Sequence, residues 1–512
     1  MSIREIVRQL NSVKAGTPIH RYSTMHLRID ENPMVVAFIR MAGESRPWAI
    51  AFGRLLDASP KVLSIADGRN RLAVAEMCEE FAEDLLEYFR VAGYTWDPIT
   101  KENLMVGDLP QIWVPSARHV EMFHHLQYAF WRVRKGDDRT KPITVFARLC
   151  GWLFRESTKV GQQAVVDTAK LFRDSYVFPA DTASLGHLGT CIAWFKPSNN
   201  IVETRLSVRQ ASILRDSPTL DPDIDSKILN PLVQKRADLI DEGKTTEKVD
   251  TEIAAVLHPE VTRRWELVRE GYKILCNDTR DVNVGVQDLV LSTMQSFYSG
   301  FQRIEENLQD PDLGPAYTQH PETDFHGSAA ASNYFEMTAA DTAFIAKLVH
   351  TDEELQAEAL AAGNAFIAEI IKVENLGTGR SVKPMWTLRI EIGENLRIRE
   401  GERYAPLMGP LHGIQIRNVT VVDSNNLEVL AEWTDRKTVP LEYPLENRAI
   451  DPEWEGHRVM FVPKDSSEFD KSKSRAVWAA SNGPGAWLTH GVAPVPVDAN
   501  VVDDITQLSG AN

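Results

Sequence analysis

Three histidines, His119, His124 and His125, fall inside the stretch VPSARHVEMFHHLQYAFWRVRKGDDR, which begins at Val114. Imidazoles this close suit a metal centre or proton transfer. The basic run that follows, Arg132, Arg134, Lys135 and Arg139, suits phosphate. The apolar spacing predicts a helix over about 117–135, with Ser116 as its N-cap and Lys135-Gly136 as its end. At about 100° per residue, His124 stands about 140° round the helix from His119, and His125 about 100° further. The three rings therefore point three ways and cannot surround one ion unaided. Glu121 and His124 make a Glu-x-x-His pair, but a di-metal bundle needs a second such pair and the chain has none. His119 shares a stripe with Met122, Phe123, Leu126 and Phe130, so it is expected to be a core histidine with a polar partner. The cations at the helix end complement the helix dipole and form one phosphate-binding candidate.

Other stretches carry weaker chemistry. SIADGRNR, from Ser64, reads as a strand leading through a polar loop into a helix, a common ligand position. Arg69 and Arg71 there are phosphate candidates, although a capped turn is the plainer reading. Neither GxGxxG nor GxxxxGK[ST] is present. In SLGHLGTCIAW, Gly186 and Gly189 suit close helix packing, and His187 with Asp181 upstream suits an acid–base pair. Asp67, Glu76 and His187 are the dispersed set from which a hydrolase or nuclease site would be built. HPETDFH places His320 and His326 beside two carboxylates, the best local metal candidate, but no later ligand is indicated. No metal or other cofactor is expected. Cys78, Cys150, Cys191 and Cys276 are far apart, lie in apolar helical patterns and are expected to be buried free thiols.

The elements that must position these residues read as a multi-domain α+β chain, mainly α, with a small α/β unit at the start and a small β-barrel-like domain near the end. MVVAFIRM, WAIAFGRLL and KVLSIA predict three strands, and LAVAEMCEEFAEDLLEYFRVAG a helix stopped at Gly93, within an α/β unit over 1–105. An aromatic-rich helical domain is expected over 106–200, packed helices running from Ile112 to Phe195. An acidic helical domain follows over 201–380. It is reached through a polar linker and includes a helical hairpin or coiled-coil arm around 235–275. Period-two patterns then predict a β domain over 381–464, with a hairpin turn at DSNN, before a polar, unstructured tail over 465–512.

The chain carries a net charge of −16, unevenly spread. Residues 1–200 hold 25 basic and 22 acidic side chains, and the remainder 31 and 50. A polyanion is therefore expected to meet the first 200 residues if anywhere. The N-terminus lacks a signal-peptide core and no apolar run is long enough for a membrane span, so a cytosolic protein with no membrane partner is expected. Without a catalytic motif, the leading expectation is a non-catalytic scaffold subunit of a multi-protein assembly, one acting on nucleic acid as in DNA processing or bacterial defence. The alternatives are a hydrolase or nuclease with a dispersed site, and a nucleic-acid binder acting alone.

Overall fold

The computed structural model describes residues 3–41, 44–90, 93–97, 102–106, 110–131, 142–180, 185–196, 200–309, 328–378, 382–393, 395–407, 413–434 and 448–464. Its centre is a five-stranded sheet. Strands β1 (Met34–Arg40), β2 (Pro47–Arg54) and β3 (Lys61–Ser64) form an antiparallel meander, and β4 (Ile112–Val114) and β5 (Val165–Asp167) run parallel to β1. The order across the sheet is β3-β2-β1-β4-β5.

Both faces are covered, which is why β1 reads as an unbroken apolar run. Met34, Val36 and Phe38 enter one core together with Ile112 and Val114, while Val35, Ala37 and Ile39 enter the other together with Trp113. The first core is closed by α2 (Arg71–Arg90), α3 (Ala117–Phe130), α4 (Pro142–Glu156) and α10 (Val284–Gln309). The second is closed by α5 (Thr168–Ser175), α6 (Leu188–Ala193) and α9 (Glu247–Cys276).

Helix α9 lays Val249, Ile253, Leu257, Val261, Trp265 and Val268 on the sheet, and the Trp265 indole N–H donates to the Val35 carbonyl at 3.2 Å. The helix runs through Pro259. Its long apolar stripe outweighs the one hydrogen bond that proline removes. The stretch expected as a helical arm is thus part of the core, joined to α8 (Asn230–Asp241) by a turn in which Gly243 takes a φ of 68°.

The fold is mixed α+β as expected, with sheets near the N-terminus and a closed barrel near the C-terminus among its helices. Residues 112–195 are not all packed helices, because β4 and β5 lie within them. AVVD was absorbed into a helical pattern, since a three-residue strand buried on both faces leaves no alternation to see. The polar linker carries α7 (Ile201–Ile213), capped by the Asn200 side chain, which accepts from the N–H groups of Val202 and Glu203. The sheet draws strands from both sides of position 105, and α9 joins its core from beyond position 200, so one packed body spans both expected boundaries.

Helices α11 (Ser328–Thr351) and α12 (Glu353–Ala361) lead to a closed six-stranded barrel. Its strands are β6 (Phe366–Asn375), β7 (Pro384–Glu391), β8 (Arg403–Pro406), β9 (Ile414–Val421), β10 (Asn426–Trp433) and β11 (Arg458–Pro463), in the order β6-β7-β10-β9-β8-β11. The barrel starts earlier than expected: FIAEIIKVEN alternates buried and exposed from Phe366 and is a strand, not part of the helical domain expected over 201–380. Trp386, Trp433 and Trp454 fill the interior, and the Trp386 indole N–H donates to the Ala449 carbonyl at 2.7 Å. The DSNN turn forms as expected, with the Asn425 N–H donating to the Asp423 side chain at 2.7 Å. The tail over 465–512 lies outside the described residues. Among the described residues, no helix is long and apolar enough to cross a membrane.

Candidate functional site

The strand lengths make a gap in the sheet. β1 has seven residues and β4 has three, and their pairing stops at Val35 opposite Trp113. Beyond that point the β1 edge needs other partners. His119 supplies one: its Nδ1 accepts from the Phe38 N–H at 3.1 Å. The loop 215–219 supplies the next, the Pro218 carbonyl accepting from the Arg40 N–H at 2.9 Å. The His119 Nε2–H then donates to the Asp216 carbonyl at 2.7 Å, tying histidine and loop together. The expected core histidine is therefore present with two backbone partners, and burial pushes its pKa down to about 3.

That loop borders a cavity of about 880 Å³ at the carboxyl ends of β1, β4 and β5, where Arg40, Ser116 and Asp167 sit. Open α/β sheets place ligands at this edge. The α3 N-terminus opens into it through Ser116, Ala117 and Arg118. Ser116 was expected to cap α3, but its side chain makes no cap hydrogen bond, and the buried hydroxyl has no partner among the described residues. The first N–H groups of α3 are left without a capping acceptor. An anion at this end of the helix would meet both those donors and the helix dipole.

Four guanidinium groups, of Arg40, Arg118, Arg173 and Arg215, line the same cavity. Arg40 and Arg173 donate to carbonyls, of Glu44 at 2.6 Å and Leu185 at 2.8 Å, and among the described residues neither makes an ion pair, although Arg173 acts through space on Asp167. Arg215 is exposed and its side chain has no partner among the described residues. Only Arg118 meets a carboxylate, Glu121 at 3.4 Å on the surface.

Four acids line the cavity too: Glu121 pairs with Arg118, and Asp167, Asp221 and Asp216 hold backbone N–H groups or His187. Asp167 accepts from the Lys170 N–H as the cap of α5, and burial raises its pKa. Asp221 accepts from the Asp223 N–H at 2.8 Å. Asp216, buried, accepts from the Leu188 N–H and from His187 Nδ1 at 2.9 Å. The hydrogen bond to Asp216 raises the His187 pKa against the opposing effect of burial.

The partner expected for His187, Asp181, lies outside the described residues, and the partner found is Asp216. No local signal in the sequence points to Asp216, which stands in the supposed linker 29 residues away. His125 borders the same cavity. His124 stacks on Phe154 with ring centroids 4.4 Å apart, and the His124 and His125 rings stack at 6.2 Å, so those two do not point apart as expected, whereas His119 meets β1.

Asp67 and Glu76 do not join His187. Asp67 accepts from the Arg69 N–H at 2.9 Å within the turn, and Glu76 is exposed on α2. Arg69 pairs with Glu44 at 3.4 Å, Arg71 is exposed at the start of α2, and Asn70 caps that helix through Leu72 and Ala73. The SIADGRNR stretch is thus built as a capped turn. Helix α3 ends at Phe130 and not near position 135, and Arg132, Arg134, Lys135, Arg139, His320 and His326 lie outside the described residues. Among the described residues no group of three His, Cys, Asp or Glu could hold a metal ion. Cys78, Cys150 and Cys191 are buried as expected, whereas Cys276 is exposed.

The histidines set the acid stability. The folded pKa of His119 is near 3 and that of His26, also buried, near 4, both below the usual 6.5. Their stabilising contribution is present above about pH 6.5 and is lost as pH falls, because the unfolded chain takes up protons first. His187 has the opposite sign, but it is partly exposed and offsets little. Denaturant unfolding at pH 7 and pH 5 is expected to show a loss of about 2 kcal/mol per buried histidine. Equal stability at the two values would contradict this.

Comparison with protein families, curated proteins and solved structures returns no match for this chain.

Proposed function

We propose that the chain binds nucleic acid, holding its sugar–phosphate backbone in the crevice at the carboxyl end of β1, β4 and β5. The observation that carries this reading is that Arg40, Arg173 and Arg215 border one cavity and make no ion pair among the described residues. Planar guanidinium groups suit phosphate oxygens, and the α3 N-terminus adds N–H donors. A polymer fits better than a single phosphate because the basic surface continues. Arg205 and Arg209 are exposed on the face of α7 that carries Ser212, and Ser212 borders the crevice. The overall charge of −16 is no obstacle, since a local basic crevice acts within about 10 Å at ordinary salt. If the chain also serves in an assembly, as its sequence suggests, the exposed apolar side chains of α1 (Ile3–Ala15), Ile6, Leu10 and Val13, offer a protein partner a surface.

The test is a titration of fluorescent single-stranded oligonucleotide with the full chain at two salt concentrations. Four phosphate contacts on a single strand imply a fall in affinity of roughly 50-fold between about 50 and 200 mM salt. An affinity that does not change with salt would refute the proposal.

A further inference from the structure

We propose that the crevice cleaves RNA, with His125 as general base and His187 as general acid. The inference rests on the nucleic-acid reading above and extends it from binding to chemistry. Both imidazoles border the one cavity. His187 has Nδ1 held by the buried Asp216, which orients the ring, and its Nε2 has no partner among the described residues. The ring nitrogens of His125 likewise have none. The guanidinium groups of Arg40 and Arg215 stand by the same space, where charge builds on a phosphorane.

The two environments push the rings apart in acidity. Burial, Arg40 and His124 lower the His125 pKa, with Glu121 opposing, while Asp216 raises that of His187, with burial and Arg215 opposing. The opposite directions suit His125 to take a proton and His187 to give one, the division of labour that acid–base catalysis needs.

RNA suits such a site because it carries its own nucleophile. His125 takes the proton of the 2′-hydroxyl as that oxygen bonds to the adjacent phosphorus. The bond from phosphorus to the 5′-oxygen breaks, and His187 gives its proton to that oxygen. The products are a 2′,3′-cyclic phosphate and a 5′-hydroxyl. No oxidant, reductant or further reactant is required.

The experiment uses the full chain, a single-stranded RNA oligonucleotide and excess chelator, followed by mass spectrometry of the products. Fragments ending in 2′,3′-cyclic phosphate are expected, with a rate that rises and then falls between about pH 5 and pH 8. His125→Gln and His187→Gln are each expected to lower the rate about 100-fold or more. In addition, H125Q removes the acid limb of the profile and H187Q the alkaline limb, which a merely structural role would not do. Unfolding midpoints of the two variants confirm that they fold. An intact oligonucleotide, or cleavage that both variants retain, overturns the proposal. A 2′-O-methyl oligonucleotide, which cannot react, separates the two readings. If it binds with the expected salt dependence while RNA stays intact, cleavage alone is wrong. If it does not bind, the crevice reading fails as well.

Discussion

Replacing Arg264 with alanine is expected to cost about 3–5 kcal/mol of folding stability, the range for removing one member of a buried ion pair. Arg264 is the one fully buried cation of α9, its side chain 0% exposed. Its Nη1 donates to the Glu260 carboxylate at 2.8 Å and to the Glu260 carbonyl at 2.7 Å. Its Nε donates to the Ser217 carbonyl at 2.9 Å, and its Nη2 reaches the Thr219 carbonyl at 3.4 Å. Burial lowers its pKa to about 10, so it is still charged at neutral pH. Alanine would leave the half-buried Glu260 carboxylate with Arg263 alone, at 3.0 Å, and free two loop carbonyls. The same change would remove two of the ties on the loop that completes the β1 edge and presents Asp216. Oligonucleotide binding should therefore weaken together with stability. Urea unfolding of the variant checks the first effect, and a loss below about 1 kcal/mol would show that the loop is held by other contacts.

The second large effect is expected at the crevice mouth. The double change Arg118→Ala, Arg215→Ala removes two exposed guanidinium groups whose loss leaves nothing buried and unpaired. Hydrogen bonds to charged groups contribute about 1.5–3 kcal/mol each, so affinity for single-stranded oligonucleotide should fall on the order of 100-fold. The salt slope should become shallower by about 1.4, or 0.7 for each lost contact. Stability should stay within about 0.5 kcal/mol, as for surface substitutions generally. This separates the pair from Arg264, whose replacement acts on the fold first.

Much of the frame was legible before the structure was seen. The three strands of the meander and α2 announce themselves by period and by turn residues. The alternation in PMWTLRIEI, GIQIRNVTVVD and NLEVLAEW marks a barrel with one face inward. His119 was readable as a core residue because helical geometry puts it in an apolar stripe.

What escaped is what depends on contacts far apart in the chain. Strands β4 and β5 are three residues long and draw their register from β1, so no local pattern exposes them. Pro259 looks like a helix end unless the sheet beneath it is known. The site suffers most. His187 was visible, but Asp216 sits in a stretch whose polarity reads as linker, and only its bonds to His187, Leu188 and His119 give it a role. Likewise His125 seemed one of three scattered rings. It borders the cavity because α3 starts close to the end of β4.

The most direct test of the crevice is a titration of one labelled single-stranded RNA oligonucleotide with the wild-type chain and with the Arg118→Ala, Arg215→Ala variant, across a range of salt. The expected result is salt-sensitive binding by the wild type, with the variant both weaker and less sensitive to salt. Identical affinity and identical slope for the two chains would place the binding surface elsewhere and contradict the crevice as the site of function.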